Sequence, residues 1–67
     1  MSDTLKVIEV LAESDKSWED AAKKAVKQAN KTLRNVRSIY IDNFEAKVAN
    51  GDIASYRINA KISFVLE

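Results

Sequence analysis

The chain contains no cysteine and no histidine, and each absence removes a class of chemistry. Without cysteine there are no disulfides and no thiolate metal sites. Without histidine the commonest general base and the commonest transition-metal ligand are missing. Catalysis would have to rest on carboxylates, lysine, serine or tyrosine, and no paired constellation of these stands out, so the expectation is a protein that is not an enzyme. Charge of one sign is also lacking: eleven basic and ten acidic residues leave a net charge of +1. A dedicated nucleic-acid binder shows a clear basic excess, so nucleic acid is not the expected partner. No apolar run approaches the ~20 residues of a membrane span. The opening MSDTLKV has neither the basic start nor the apolar core of a signal peptide, which leads to the expectation of a soluble cytoplasmic protein without a membrane partner. The 67 residues allow one domain, 1–67, and a chain of this size buries only about 60% of its unfolded surface. With disulfides and thiolate metal sites excluded, self-association is the expected source of further stability.

What is present is organised around residues 17–33, SWEDAAKKAVKQANKTL. Trp18, Ala21, Ala22, Ala25, Val26, Ala29 and Leu33 recur at three- and four-residue steps, which places them on one stripe of a helix. Lysines 23, 24, 27 and 31, with Gln28 and Asn30, fall on the opposite face. The stripe is mostly alanine, so its cover approaches the helix backbone closely, and a small sheet is the natural cover. Ser17 is the predicted N-cap, with Asp20 at the matching capping-box position. Glu19 and Asp20 suit the positive end of the dipole and precede Lys23 and Lys24 by four residues, a favourable ion-pair order. Neither Gly nor Pro ends the helix; Asn35 is the predicted left-handed residue beyond it. Lys23, Lys24, Lys27, Lys31 and Arg34 line one side, a basis for an interaction surface, but with Glu19 and Asp20 beside them a solvated face is the simpler reading.

The flanking segments read as strands. Residues 5–11 are β-branched and roughly alternating, with Leu5, Val7, Glu9 and Leu11 on one face and Lys6, Ile8 and Val10 on the other. Apolar groups on both faces imply cover on both, the second cover being another subunit. Residues 12–16 read as a polar connection. Residues 36–46 form a second strand, alternation placing Ile39, Ile41, Arg37 and Asn43 opposite Ser38, Tyr40, Asp42 and Phe44. Asn50-Gly51 is a hairpin signal, since both residues tolerate positive φ. In the third strand, 53–66, Tyr56, Ile58, Ala60, Ile62, Phe64 and Leu66 alternate strictly with Arg57, Asn59, Lys61, Ser63 and Val65. The fold class is α+β: β-α-β-β, a three-stranded antiparallel sheet packed on one helix, the third strand central. Such a lone sheet leaves two edges and one face unprotected, which again points to assembly.

The element order, the Ser-Trp helix start, the helix end TLRNV, the NGD hairpin and the closing KISFVLE resemble the dodecin family over about residues 5–67. The resemblance implies a hollow homododecamer of cubic-type symmetry. It also implies a flavin, riboflavin or FMN, stacked in pairs between tryptophans of two subunits, in a storage or buffering protein. Aligning Thr32-Leu33-Arg34-Asn35-Val36 with the family puts Ser38 at the position of the flavin tryptophan and Arg57 at that of a glutamine that bonds the flavin ring. Serine has no π-face, and arginine has donors only, so the resemblance implies a lost flavin site; Arg57 suits an anion or carboxylate. Trp18, in the first helical turn, reads as a packing anchor rather than a relocated stacking platform. The helix start, Val36-Arg37 and Tyr56-Arg57-Ile58 are similar to a branch that lacks the flavin tryptophan and is described as calcium-binding. No EF-hand loop is present. Asp42, Asn43 and Glu45 are the densest oxygen cluster, although strict alternation places Asp42 opposite the other two. The expected function is a dodecin-like homo-oligomeric binding or storage protein for a cation such as calcium or another small ligand. A flavin-binding dodecin with an altered site, and a small protein or nucleic-acid interaction module, are the alternatives.

Overall fold

The structure, a computed structural model, describes residues 3–66. Its elements are β1 (Leu5–Ser14), α1 (Trp18–Thr32), β2 (Val36–Ala49) and β3 (Asp52–Val65). The sheet order is β1-β3-β2, antiparallel throughout, with the longest predicted strand in the centre as expected. Asn50 and Gly51 turn the hairpin with φ of 54° and 76°, the paired positive values of a tight I′-type connection. Asn35 takes φ 56°, the left-handed conformation expected after the helix, and its carbonyl accepts from the Val65 N–H at 3.2 Å.

One face of the sheet lies under the helix. Ala21, Ile58, Ala60 and Ile62 are the fully buried apolar residues among those described, and Val10, Ala12, Trp18, Ala22, Ile39 and Ile41 pack around the first three. The alanine stripe brings the helix backbone close to β3, as its small side chains require. Trp18 anchors the N-terminal end: its indole N–H donates to the Glu45 carbonyl at 2.9 Å, and its ring meets Tyr56 and Phe44 edge-on at 4.9 and 5.8 Å. The ion pairs Glu19–Lys23 at 3.5 Å and Asp20–Lys24 at 3.3 Å occupy the helix surface as expected.

Three expectations are corrected. The first strand runs on to Ser14 instead of ending at Leu11, because Ala12, Glu13 and Ser14 pair with Ile58, Arg57 and Tyr56. The capping box is also rearranged. Ser17 accepts from the Asp20 N–H at 2.9 Å as predicted, but the Asp20 carboxylate takes the Ser14 hydroxyl at 2.6 Å. Ser14, 4% exposed, in turn accepts from the Lys16 N–H at 2.9 Å and the Ser17 N–H at 3.5 Å, so it stands between the two members of the box. That hydroxyl, ahead of the pairing with Lys24, holds the Asp20 carboxyl below its usual range.

The third correction concerns β2. Its register against β3 shifts at Arg37 and again at Asp42, each an extra residue opposite the partner strand. Beyond Asp42 the alternation is inverted: Asn43 pairs with Asn59 and Phe44 with Ile58. Phe44 therefore joins the helix side and Asn43 the other, the reverse of what strict alternation assigns.

The single chain covers itself poorly. Its radius of gyration is 13.7 Å, against about 11 Å for a compact chain of this length. Its accessible surface of 5044 Å² exceeds the ~4,200 Å² typical of the mass. The extents are 51 × 20 × 14 Å, because the β2–β3 hairpin is long and only one helix lies on the sheet.

Candidate functional site

The face of the sheet turned away from α1 carries the residues singled out in the sequence. Its register produces cross-strand rows: Val7–Ser63–Ser38, Glu9–Lys61–Tyr40, Leu11–Asn59–Asn43 and Glu13–Arg57–Glu45. The apolar members are left open, Val7 at 54%, Leu11 at 67% and Tyr40 at 64% exposure. The polar members mostly find one another. Ser38 and Ser63 share a hydroxyl–hydroxyl bond of 2.6 Å. Arg57 gives two N–H groups to one oxygen of Glu13, at 3.0 and 2.6 Å, and lies 3.5 Å from Glu45, so one guanidinium ties all three strands together. The hydrogen bond and charge of Arg57 hold the Glu13 carboxyl below its ordinary value, and Glu13 in turn raises Arg57.

Ser38 and Arg57 thus share a face but do not meet within one chain. Ser38 lies opposite Ser63, six residues from Arg57 along β3 and so about 20 Å away at ~3.3 Å per residue. Tyr40 is the aromatic ring that the register places on this face; Trp18, Phe44 and Tyr56 are engaged on the helix side.

The Asp42 bulge brings Asp42, Asn43 and Glu45 to the same side, contrary to the alternation expected. They still do not converge. Asp42 is 4.0 Å from Lys61, whereas Glu45 is 3.5 Å from Arg57. Among the described residues no three acidic side chains group as a metal-binding set. The residue that joins Asn43 and Glu45 is Asn59. Together with Leu11 and Phe44 they line a shallow depression of about 360 Å³. The Asn59 amide oxygen is closed off from solvent and has no hydrogen-bond partner among the described residues. The sequence placed Asn59 only in the polar row of the third strand. The available signal was its type, since asparagine is depleted from strand interiors and one at the centre of a sheet calls for a reason.

A larger groove of about 460 Å³ runs between β1 and α1, lined by apolar residues that include Ile8, Val10, Ala25 and Leu33, and also by Lys24 and Gln28. Among the described residues no helix is long and apolar enough to cross a membrane.

Comparison with known proteins supplies the context. The sequence model of the Dodecin family matches residues 4–67. A calcium dodecin of Mycobacterium tuberculosis is 32% identical over 59 residues, 88% of this chain and 83% of that protein. Among solved structures, a calcium-chelating immunodominant antigen of M. tuberculosis, a calcium dodecin described as having a novel calcium-binding site, superposes with a TM-score of 0.82. It is 32% identical, with 96% of this chain and 91% of that one covered. A dodecin of Streptomyces coelicolor superposes with a TM-score of 0.92 at 28% identity, over 97% of this chain and 93% of that one.

Proposed function

This chain belongs to the dodecin family, and from that premise we propose that it is a self-assembling binding protein, not an enzyme. In this reading the single domain forms a homododecamer in the cytoplasm and holds a cation such as calcium, or another small ligand, in place of flavin. The observation that carries the reading is the state of the open face. Where the resemblance calls for a stacking tryptophan, Ser38 offers a hydroxyl already bonded to Ser63. Where it calls for a glutamine, Arg57 is held by Glu13. Flavin capture rests on ring stacking, and neither residue supplies a ring. Leu5, Val7, Leu11 and Tyr40, each about half exposed or more, give the same face apolar surface suited to burial against further copies. The calcium dodecin of M. tuberculosis supports a cation as the ligand class.

Native mass spectrometry and an ultraviolet-visible spectrum of the protein purified from a flavin-rich host test the reading together. The expected result is a colourless homo-oligomer whose melting temperature rises with added calcium. A monomer overturns the assembly, a yellow protein with quenched flavin fluorescence overturns the loss of flavin, and an unmoved melt in excess calcium overturns a structural role for that ion.

A further inference from the structure

We propose that the outer side of α1 is a docking surface for an acidic segment of another protein, one that carries an aliphatic side chain among its carboxylates. The proposal is independent of which ligand the open face holds.

The argument begins with charge that the chain leaves unanswered. The net charge is only +1, yet residues 21–41 hold six basic residues and no acidic one. Three of the six are met from outside that run: Lys23 by Glu19, Lys24 by Asp20 and Arg37 by Asp3. Glu19 and Asp20 therefore balance only the lysines one turn on. Lys27, Lys31 and Arg34 are exposed and take part in no ion pair among the described residues. Lys27 and Lys31 stand four apart on α1, a like-charge spacing that destabilises a helix. Lys31 and Arg34 have a local use at the negative end of the helix dipole. Lys27, more than a turn before that end, has none.

An apolar groove adjoins these cations. It measures about 350 Å³, lies between α1 and β2, and is lined by Ala22, Val26 and Ile39 together with Lys23, Lys27 and Asn30. Lys27 belongs to both features, so groove and cations make one surface. Carboxylates of a partner meet the amines while an aliphatic side chain fills the groove, the pattern of an acidic amphipathic peptide. The two other common polyanions fit less well. A phosphate backbone has no apolar group for the groove, and its strong binding draws on about six to ten cations. An anionic bilayer is entered by bulky apolar side chains, whereas the apolar residues here line a hollow.

Fluorescence anisotropy of a labelled glutamate peptide with one central leucine, titrated with the assembled protein at rising salt, tests the assignment. Binding is expected to weaken as salt screens the charges. It is also expected to be tighter than that of the same peptide with serine in place of leucine. Lys27→Glu is expected to weaken it at least about tenfold, since like charges then face each other across the contact. The same variant is expected to melt at or above the parent, because a carboxylate then stands four residues from Lys23 and from Lys31. Lys47→Glu, an equal change of net charge near the β2–β3 turn, is expected to leave the affinity unchanged. No binding by the parent, equal affinity for the serine peptide, undiminished affinity in Lys27→Glu, or an equal loss in Lys47→Glu overturns the proposal. So does tighter binding of a DNA duplex or of phosphatidylserine vesicles, which assigns the surface to nucleic acid or to a membrane. If Lys27→Glu fails to fold, Lys27→Gln is read in its place: a smaller loss supports the surface and no loss overturns it.

Discussion

Along β3, Ile58, Ala60 and Ile62 are sealed beneath the helix, while Arg57, Asn59 and Lys61, one residue away each time, lie on a face with no helix over it. The two faces of this strand solve different problems. Beneath the helix, burial is satisfied by apolar volume, and the alanine stripe sets how closely the layers approach. On the other side the contacts are particular pairs: serine with serine, one arginine with two glutamates, a lysine near an aspartate. Leu11 and Tyr40 stay uncovered among them. A face that satisfies its charges but leaves its apolar groups open is suited to meeting another surface, and the functional reading is concentrated there.

The largest effect is expected from breaking the open face without touching the other. Leu11→Lys should reduce the proposed assembly to single chains of 7.5 kDa by native mass spectrometry, with the far-ultraviolet dichroism retained, since Leu11 is 67% exposed in the chain alone. The converse test is Ile58→Ala beneath the helix. It should cost about 2–5 kcal/mol of stability in urea titrations, the range for emptying a buried aliphatic site. Smaller again is Ser17→Ala, which removes the acceptor for the Asp20 N–H and should cost roughly 0.5–2 kcal/mol.

The smallest effect is expected from acid. Glu13 is held below its ordinary value of 4.5 by Arg57, and Asp20 below 3.8 by Ser14. A carboxyl lowered in the folded state contributes stability that is fully present above its unfolded value and is lost as pH falls through the folded one. The melting temperature should therefore hold on the neutral side and decline below about pH 4.5. Glu13→Gln should remove the part of that decline that belongs to the open face.

Much of the helix side was legible because its signals are local. The 3.6-residue stripe located α1, the period of two located β3, and Asn50-Gly51 located the turn through the positive φ both residues take. The extent of β1 was not legible, since Ala12, Glu13 and Ser14 look like a polar loop until Ile58, Arg57 and Tyr56 are set beside them. The bulge at Asp42 was not legible either. An inserted residue carries no mark of its own, yet it exchanges the faces of Asn43 and Phe44. For the candidate site, Asn43 and Glu45 were found as a dense run of oxygens, whereas Asn59 lies on another strand and becomes a neighbour only through the register. The closing of Arg57 by Glu13 is likewise a pairing 44 residues apart.

The pairing of Leu5 with Val65 also bears on how the chain comes to fold. During synthesis β1 precedes β3, the strand it bonds, by the helix and β2, so it has no partner strand until β3 has been made. The β2–β3 hairpin closes on its own across a tight turn, but the sheet waits for contacts that span nearly the whole sequence, the kind that slow folding. Until then the apolar residues of β1 lack the strand they pair with.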